Sequence, residues 1–304
     1  MRTGNPVRGH RRGSEWRRLT YGLYRSSLPA RSLAHDLDAW RLLLPEGAAF
    51  THLTAAELCG WWMPGQIRCP VFVALPERGR YPRRPGLVVS RHREGLPTTE
   101  FDGLPVTTAA ETLLAACRDL GLLDLAVLGD SALRLKQLTL TELEETARWR
   151  RRGVRRLRQL VPLLDKRSQS PWESIMRLLH RAADIPVEPQ MEVIDAFGRV
   201  IAHADLGILG TNRIHEYDGD VHRERGVHRK DLARERGIAE QGTIRFGYTS
   251  VELRNDGASI IAAADRALGR SWDPRRIQRW NALLDDSLLG MSGRRRVHQR
   301  WSGG

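Results

Sequence analysis

The sequence predicts a mixed α+β or α/β protein in two parts. We expect an N-terminal region that is mixed, mostly helical and carries a small sheet, followed by a C-terminal domain with the order α-β-β-β-α-β-α. The length of 304 residues suits two domains, at about 150 residues each. The hydrophobic periodicity also changes after residues 162–171, where proline and polar residues interrupt it, so we place the domain boundary there.

The N-terminal part combines short strands with helices. Residues 16–26 alternate as a hairpin with Gly22 at the bend, and Thr139 with Glu142 has the spacing of a helix capping box. Helices are predicted at 31–44, 51–62, 108–119, 122–136 and 140–152, and strands at 69–75 and 86–91.

The C-terminal part has the more regular pattern, in which strands with period-two alternation are enclosed by helices. The predicted elements are helix 170–183, strands 189–195, 198–209 and 212–218, helix 223–237, strand 243–249 and helix 255–268. A further helix at 275–289 precedes a basic tail.

The composition excludes several classes of protein. No run approaches the roughly 18 consecutive apolar residues that a membrane span needs, and the N-terminal residues lack the apolar stretch of a signal peptide. The three cysteines are odd in number and widely spaced, which fits neither a disulfide framework nor a paired-cysteine zinc site. Because free thiols suit a reducing compartment, we expect a cytoplasmic protein that does not enter a membrane.

The net charge favours a polyanionic partner, with nucleic acid first. The chain has 49 basic and 36 acidic residues, a net charge of +13 and a pI near 10.7. Codon preference in a GC-rich genome explains the use of arginine over lysine but not this excess. The basic residues cluster near both ends of the sequence and between 148 and 167, and such runs are either solvated surface or phosphate contacts. The candidate DNA contacts are Arg150, Arg151, Arg152, Arg155, Arg156 and Arg229.

Two acidic residues of the predicted second and third strands are expected to face each other. Gly210 and Thr211 can form a two-residue turn with glycine first. If the turn is centred between them, residues whose numbers sum to 421 are opposite, so Asp205 faces Glu216. Opposed carboxylates repel and destabilise a sheet, and a bound cation offsets that cost. Magnesium is the natural candidate because it prefers carboxylate oxygens and keeps several waters.

The same register places His203 opposite Asp218 on the same face, because side chains alternate with period two. Apolar neighbours on that face exclude water and strengthen the repulsion; they are Ile201, Leu209 and Ile214. The alternative is an ordinary antiparallel sheet with one solvated polar face. His203 and His215 are interpreted as ordinary sheet residues.

Taken together, these motifs resemble the PD-(D/E)XK nuclease fold. More narrowly, residues 170–268 resemble the domain of unknown function related to very-short-patch-repair (Vsr) endonucleases, which shows an S-P-x-E helix, a strand with aspartate, an E-x-D-G-x-x-H segment, a basic helix and a strand with arginine. The matching residues are Glu173 in SPWES, Asp205 in HADLG, Glu216-Tyr217-Asp218-Gly219, His222, Arg229 and Lys230 in the basic helix, and Arg245 in TIRFGY.

The N-terminal part resembles the AbiEi-type antitoxin-like region that precedes this nuclease domain in actinobacterial proteins. The resemblance lies in RRLTYGLYR, FTHLTAAELCGWW and GLPVTTAAETLLAACRDL. It implies four segments: a basic arm with a truncated winged-helix-like hairpin (1–30), an AbiEi antitoxin-like α/β region (31–166), a restriction-endonuclease-like, Vsr-like domain (167–270), and a helix with a basic tail (271–304).

The resemblance implies a metal-dependent DNA endonuclease that hydrolyses phosphodiester bonds, in DNA repair or phage defence. Asp205 and Glu216 would bind Mg²⁺ or Mn²⁺, with Glu173 reaching in from its helix. His222 would donate or accept a proton. Arg229, Lys230 or Arg245 would neutralise charge on the reacting phosphate. Asp218 occupies the position of the signature lysine, which the Vsr relatives also lack, and this leaves the electrophilic role unassigned.

Other interpretations of the same residues remain open. A non-catalytic, antitoxin-like DNA-binding regulator that retains a nuclease fold is the main alternative, and an RNA-directed nuclease or binder is a third. A protein partner or a second copy of the chain is a further expected partner. Glu173 precedes Arg177 by four residues, a spacing equally suited to a helical surface ion pair. His222 also suits the cap of the following helix.

Overall fold

The chain forms two compact units. The computed structural model describes residues 6–11, 13–27, 32–65, 69–77, 81–93, 95–219 and 236–302. The first unit is formed by Met1–Asp119, Leu138–Arg158 and Arg295–Gly304, and the second by Leu120–Gln137 and Gln159–Arg294. Helices and strands are both abundant, so the mixed α+β class is confirmed.

The first unit contains two sheets. The smaller has the order β1-β3-β2 and is antiparallel, with β1 at Val7–Arg8, β2 at Trp16–Thr20 and β3 at Leu23–Ser26. The predicted hairpin at 16–26 is therefore confirmed, and Gly22 in its turn has a φ of +71°. The larger sheet has the order β6-β5-β4-β8-β7. Its strands are β4 (Ala49–Phe50), β5 (Val71–Pro76), β6 (Leu87–His92), β7 (Thr98–Phe101) and β8 (Leu104–Thr107).

The predicted strands at 69–75 and 86–91 correspond to β5 and β6, whereas β4, β7 and β8 were not predicted. The hairpin of β7 and β8 turns at Asp102-Gly103, which have φ values of +50° and +72°. An Asp-Gly pair is a recognised two-residue hairpin turn, so a signal for this hairpin is present in the sequence.

The first five helices follow the predicted order but are shorter, and a sixth is additional. They are α1 (Leu33–Arg41), α2 (His52–Leu58), α3 (Ala109–Ala116), α4 (Leu122–Arg134), α5 (Leu140–Arg148) and α6 (Val154–Leu160). The capping box of α5 is confirmed, because the Thr139 N–H donates to Glu142 (2.7 Å) and the Glu142 N–H donates to Thr139 (3.2 Å). Helix α5 ends at 148 rather than 152, since Trp149 has an extended backbone.

The unpredicted helix α6 follows Gly153, which has a φ of +94° and whose missing Cβ would lie 2.8 Å from the Leu114 carbonyl oxygen. Only glycine fits such a turn without strain.

The second unit contains a four-stranded mixed sheet of order β12-β11-β10-β9, preceded by α7 at Pro171–Ala182. Its strands are β9 (Val187–Ile194), β10 (Val200–Ile208), β11 (Arg213–Tyr217) and β12 (Ile244–Tyr248). Strands β9, β10 and β11 form an antiparallel meander, and β12 is parallel to β11. A parallel pair requires a crossover connection. Most of the predicted helix 223–237 lies outside the described residues, and residues 236–240 are helical.

Helices α8 to α11 follow β12. They are Ser250–Asn255, Gly257–Ala267, Ile277–Asp286 and Met291–Ser302. The helix predicted at 255–268 corresponds to Gly257–Ala267, and the short helix before it, for which Thr249 and Glu252 form a capping box, was not predicted. The segment described as a basic tail is helical to Ser302.

Helix α4 belongs to the second unit, although it precedes α7 by many residues, and it contacts α7. All three cysteines are free thiols. Among the described residues, no helix combines the length and apolar character that crossing a bilayer requires.

Candidate functional site

The register of the central hairpin is the one from which the acidic pair was predicted. Strand β10 pairs with β11 through Leu206 with His215, Gly207 with Ile214, and Ile208 with Arg213. Each pair sums to 421, as predicted. The same register continued by one residue places Asp205 opposite Glu216, on one face of the sheet.

The turn that sets this register is longer than predicted. It has four residues, 209–212, rather than two, and is closed by a hydrogen bond from the Thr211 N–H to the Ile208 carbonyl at 3.2 Å. Gly210 has a φ of +81°. The register is unchanged because the longer loop is centred at the same point of the chain.

The third predicted acid, Glu173, lies at the N-terminus of α7. Ser170 caps this helix by accepting a hydrogen bond from the Glu173 N–H at 3.1 Å, and Pro171 occupies the first helical position. The carboxylate of Glu173 is buried. Burial raises its pKa, and the nearby charge of Asp205 raises it further, while hydrogen bonds from its neighbours act in the opposite direction. Glu173 and Asp205 are therefore electrostatically coupled.

Glu173 forms no ion pair with Arg177, the alternative that their spacing suggested. Arg177 is buried and donates to Asp130 of α4 at 2.6 Å, and Ser174 donates to the same carboxylate at 2.6 Å. Arg177 of α7 therefore forms its buried ion pair with Asp130, within the second unit, and not with Glu173. Burial raises the pKa of Asp130 in spite of its partners.

Gln190 is a site residue that sequence reasoning missed. It lies on β9 between the pairs Ala204 with Met191 and Leu206 with Pro189, so it is opposite Asp205 on the other side of β10. Its φ is +52°, an unfavourable conformation for a residue other than glycine. Its side chain donates to Glu173 at 3.0 Å and accepts from the Gln169 side chain at 2.8 Å. The proline before it was the only signal, since proline rarely lies inside a strand.

Arg245 supplies positive charge to two of the acids. It lies on β12, and its Nε donates to Glu216 while its Nη2 donates to Asp218 at 2.5 Å. Burial lowers the pKa of Arg245, but the hydrogen bond and charge of Glu216, together with the charge of Asp218, outweigh it, so the pKa lies above its usual value. The sequence predicted Arg245 as a phosphate-neutralising residue and gave no indication of this pairing.

Asp218 lies just beyond the end of β11 rather than in a pair with His203. Its backbone N–H donates to the Tyr248 carbonyl at 2.9 Å. Its carboxylate covers Gly247, where an added Cβ would lie 1.7 Å from Asp218 Oδ2. The position that carries the signature lysine in the resembled family therefore contributes an arginine-bound carboxylate here.

The carboxylate of Asp205 accepts a hydrogen bond from the Tyr217 N–H at 2.9 Å. The Tyr217 ring stacks on Trp172 of α7, with ring centres 5.8 Å apart. These contacts join the end of β11 to the start of α7, the helix that carries Glu173.

His215, interpreted above as an ordinary sheet residue, forms a buried pair with His180 of α7. His180 Nδ1 donates to the Met176 carbonyl at 2.8 Å, so its Nε2 accepts from His215 Nδ1 at 2.9 Å. Burial lowers the pKa of His180 to about 4. Burial also lowers the pKa of His215 to about 2, together with the nearby His180 and the charge of Arg213. Both rings are neutral at physiological pH and are structural.

Within the part of the chain that the structure describes, no group of three or more histidine, cysteine, aspartate or glutamate side chains is arranged to hold a metal ion. The expected set of Asp205, Glu216 and Glu173 is thus not a closed cage, because the Glu173 carboxylate binds the Gln169 backbone and Gln190. Two carboxylates are enough for magnesium, which commonly uses one or two together with waters and substrate phosphates.

The remaining predicted residues divide into two groups. His222, Arg229 and Lys230 lie outside the described residues. The basic residues near position 150 belong to the first unit. There, the Arg151 guanidinium donates two hydrogen bonds to the Glu111 carboxylate, of 2.6 and 2.7 Å. Arg150, Arg152 and Arg155 are exposed, and Arg156 is half-buried.

No family model, curated protein or solved structure matches this chain. The functional interpretation therefore depends on the geometry of the acids and on the charge of the chain.

Proposed function

We propose that the second unit is a divalent-metal-dependent endodeoxyribonuclease of the PD-(D/E)XK type, related to the Vsr-like domain. The observation that supports this proposal is the register of β10 with β11, which continued by one residue pairs Asp205 with Glu216, together with the electrostatic coupling of Glu173 to Asp205. Helix α7 before a three-stranded meander and a parallel fourth strand supports it. The net charge of +13 supports DNA as the substrate.

The residues of the site divide the work of phosphodiester hydrolysis. Asp205 and Glu216 would hold Mg²⁺ or Mn²⁺, which when bound polarises a phosphate oxygen and lowers the pKa of a water ligand. Glu173, whose pKa is raised, is suited to accept a proton from an attacking water. Arg245 would turn from Glu216 toward the phosphate and stabilise its developing negative charge.

Plasmid nicking tests this proposal. Supercoiled plasmid is incubated with Mg²⁺, Mn²⁺ or EDTA and with the wild type, Asp205→Asn or Glu192→Gln. Glu192 is an exposed acid on β9 and provides a control with the same change of charge. We expect metal-dependent nicking by the wild type and the control, and a loss of at least about 100-fold in Asp205→Asn, as for removal of a catalytic group. Equal nicking by Asp205→Asn would refute the assignment.

A second candidate is a DNA-binding regulator of the antitoxin type without catalysis. The contact that favours it is Arg245 with Glu216 and Asp218, since this guanidinium already supplies the cation that opposed carboxylates require. Tight, salt-sensitive DNA binding without cutting by the wild type in any metal would establish this function instead.

A further inference from the structure

The first unit contains a pocket of about 460 Å³ with a strongly basic lining, separate from the acids discussed above. Strand β6, helix α3 and the segment after α5 contribute to it. Five arginines against two glutamates leave three positive charges in the lining. The arginines are Arg91, Arg93, Arg118, Arg151 and Arg152.

Some of this charge is already balanced inside the unit. Arg151 binds Glu111 through two hydrogen bonds, and Arg93 pairs with Glu77 at 2.8 Å. Arg151 also donates to His92 Nδ1 at 3.1 Å, which leaves the proton of a neutral His92 on Nε2. Arg151, Glu111 and His92 thus form a connected wall of the pocket.

Arg118 differs from Arg151 and Arg93 because its charge is not balanced in this way. It follows α3 and is half-buried, and among the described residues no side chain or carbonyl forms a hydrogen bond or ion pair with its guanidinium. Burial lowers its pKa, Asp119 nearby raises it, and the neighbouring charges of Arg300 and Arg152 lower it further. A charged group that is taken partly out of water without a hydrogen bond or ion pair costs stability, and a bound anion would offset that cost.

We propose that this pocket binds a phosphate monoester, supplied either by a free mononucleotide or by the 5′-phosphate at the end of a DNA strand. The planar guanidiniums of Arg118 and Arg152 match phosphate oxygens through paired hydrogen bonds. The Nε2–H of His92 is a further donor. The volume is within the usual range of small-molecule sites. This inference does not depend on the proposed nuclease activity.

Calorimetric titration tests whether the pocket binds phosphate. The parent protein is Asp205→Asn and the buffer contains EDTA, so that binding is measured without metal-dependent cleavage. The probes are inorganic phosphate, deoxyadenosine monophosphate and deoxyadenosine. We expect both phosphate compounds to bind and the nucleoside not to bind. Arg118→Gln should weaken binding at least tenfold, whereas Arg254→Gln, which removes an exposed arginine of α8, should change it less than twofold.

The melting temperature of Arg118→Gln distinguishes a binding role of Arg118 from a structural role. Because the Arg118 guanidinium forms no hydrogen bond or ion pair among the described residues, Arg118→Gln should melt at the same temperature as its parent or higher in phosphate-free buffer. Addition of phosphate should raise the melting temperature of the parent only. If Arg118→Gln fails to fold, Arg152→Gln should show the same loss of phosphate binding, since Arg152 is exposed. A lower melting temperature of folded Arg118→Gln, no binding of phosphate by the parent, or equal weakening in Arg254→Gln would overturn the proposal.

Two oligonucleotides of one sequence, with a 5′-phosphate or a 5′-hydroxyl, distinguish the sources of the phosphate. A preference of more than tenfold for the phosphorylated strand, abolished by the mononucleotide and by Arg118→Gln, identifies a strand end. Mononucleotide binding without such a preference identifies a free nucleotide. Both results support the pocket.

Discussion

The variant Arg245→Gln distinguishes two interpretations of the acidic residues: that Arg245 alone stabilises them, or that they also bind a metal ion. The variant removes the guanidinium that binds Glu216 and Asp218. Removal of one partner from a buried ion pair costs about 3–5 kcal/mol. Here Arg245 and Asp218 are 25% and 38% exposed, so we expect about 2 kcal/mol after solvent screening. In EDTA the melting temperature should fall by about 4–8 °C.

Divalent ions should reverse this loss. If the freed carboxylates bind Mg²⁺ with a Kd of about 1 mM, 10 mM Mg²⁺ stabilises the variant by about 1.4 kcal/mol, or about 3–6 °C. The wild type should gain less, because Arg245 competes with the ion for Glu216. Thermal melts of both proteins, with Arg254→Gln as the control, measure these shifts. The reasoning is refuted if Arg245→Gln melts like the wild type in EDTA, or if Mg²⁺ shifts it no more than the wild type.

Other predictions concern the packing around the site. The pKa of His180 is lowered to about 4 in the folded protein, so the unfolded chain binds a proton first as the pH falls from about 6.5 toward about 4. The free energy of unfolding should therefore be about 2 kcal/mol lower at pH 5 than at pH 7 from this residue alone. Urea unfolding at the two pH values should show a smaller difference in His180→Gln than in the wild type. Gly247→Ala should displace Asp218 and cost about 1–3 kcal/mol in urea unfolding; an unchanged midpoint would contradict the contact. Asp130→Asn leaves Arg177 buried without its charge partner and should cost about 3–5 kcal/mol in the same measurement, whereas a loss below about 1 kcal/mol would show that the pair contributes little.

The register of the acidic pair could be predicted from the sequence because it depends only on where the turn is centred. A loop of four residues and a turn of two residues centred between Gly210 and Thr211 give the same partners. The capping box of Thr139 and Glu142 is equally local and is confirmed, as is the register of β10 with β11.

Features that depend on distant segments could not be predicted. The pairing of Arg245 with Glu216 requires β12 to lie parallel to β11, which local periodicity does not specify. Gln190 binds Glu173 from a position in β9 whose positive φ local periodicity does not predict. The ion pair between Asp130 and Arg177 joins two helices that are far apart in sequence.

Manganese binding tests most directly whether Asp205 and Glu216 share a divalent ion. The electron paramagnetic resonance signal of free Mn²⁺ is titrated against the wild type, Asp205→Asn and the control Glu192→Gln. We predict that the wild type and the control remove one ion per chain from solution and that Asp205→Asn does not. Equal uptake by Asp205→Asn, or no uptake by the wild type, would contradict the metal site.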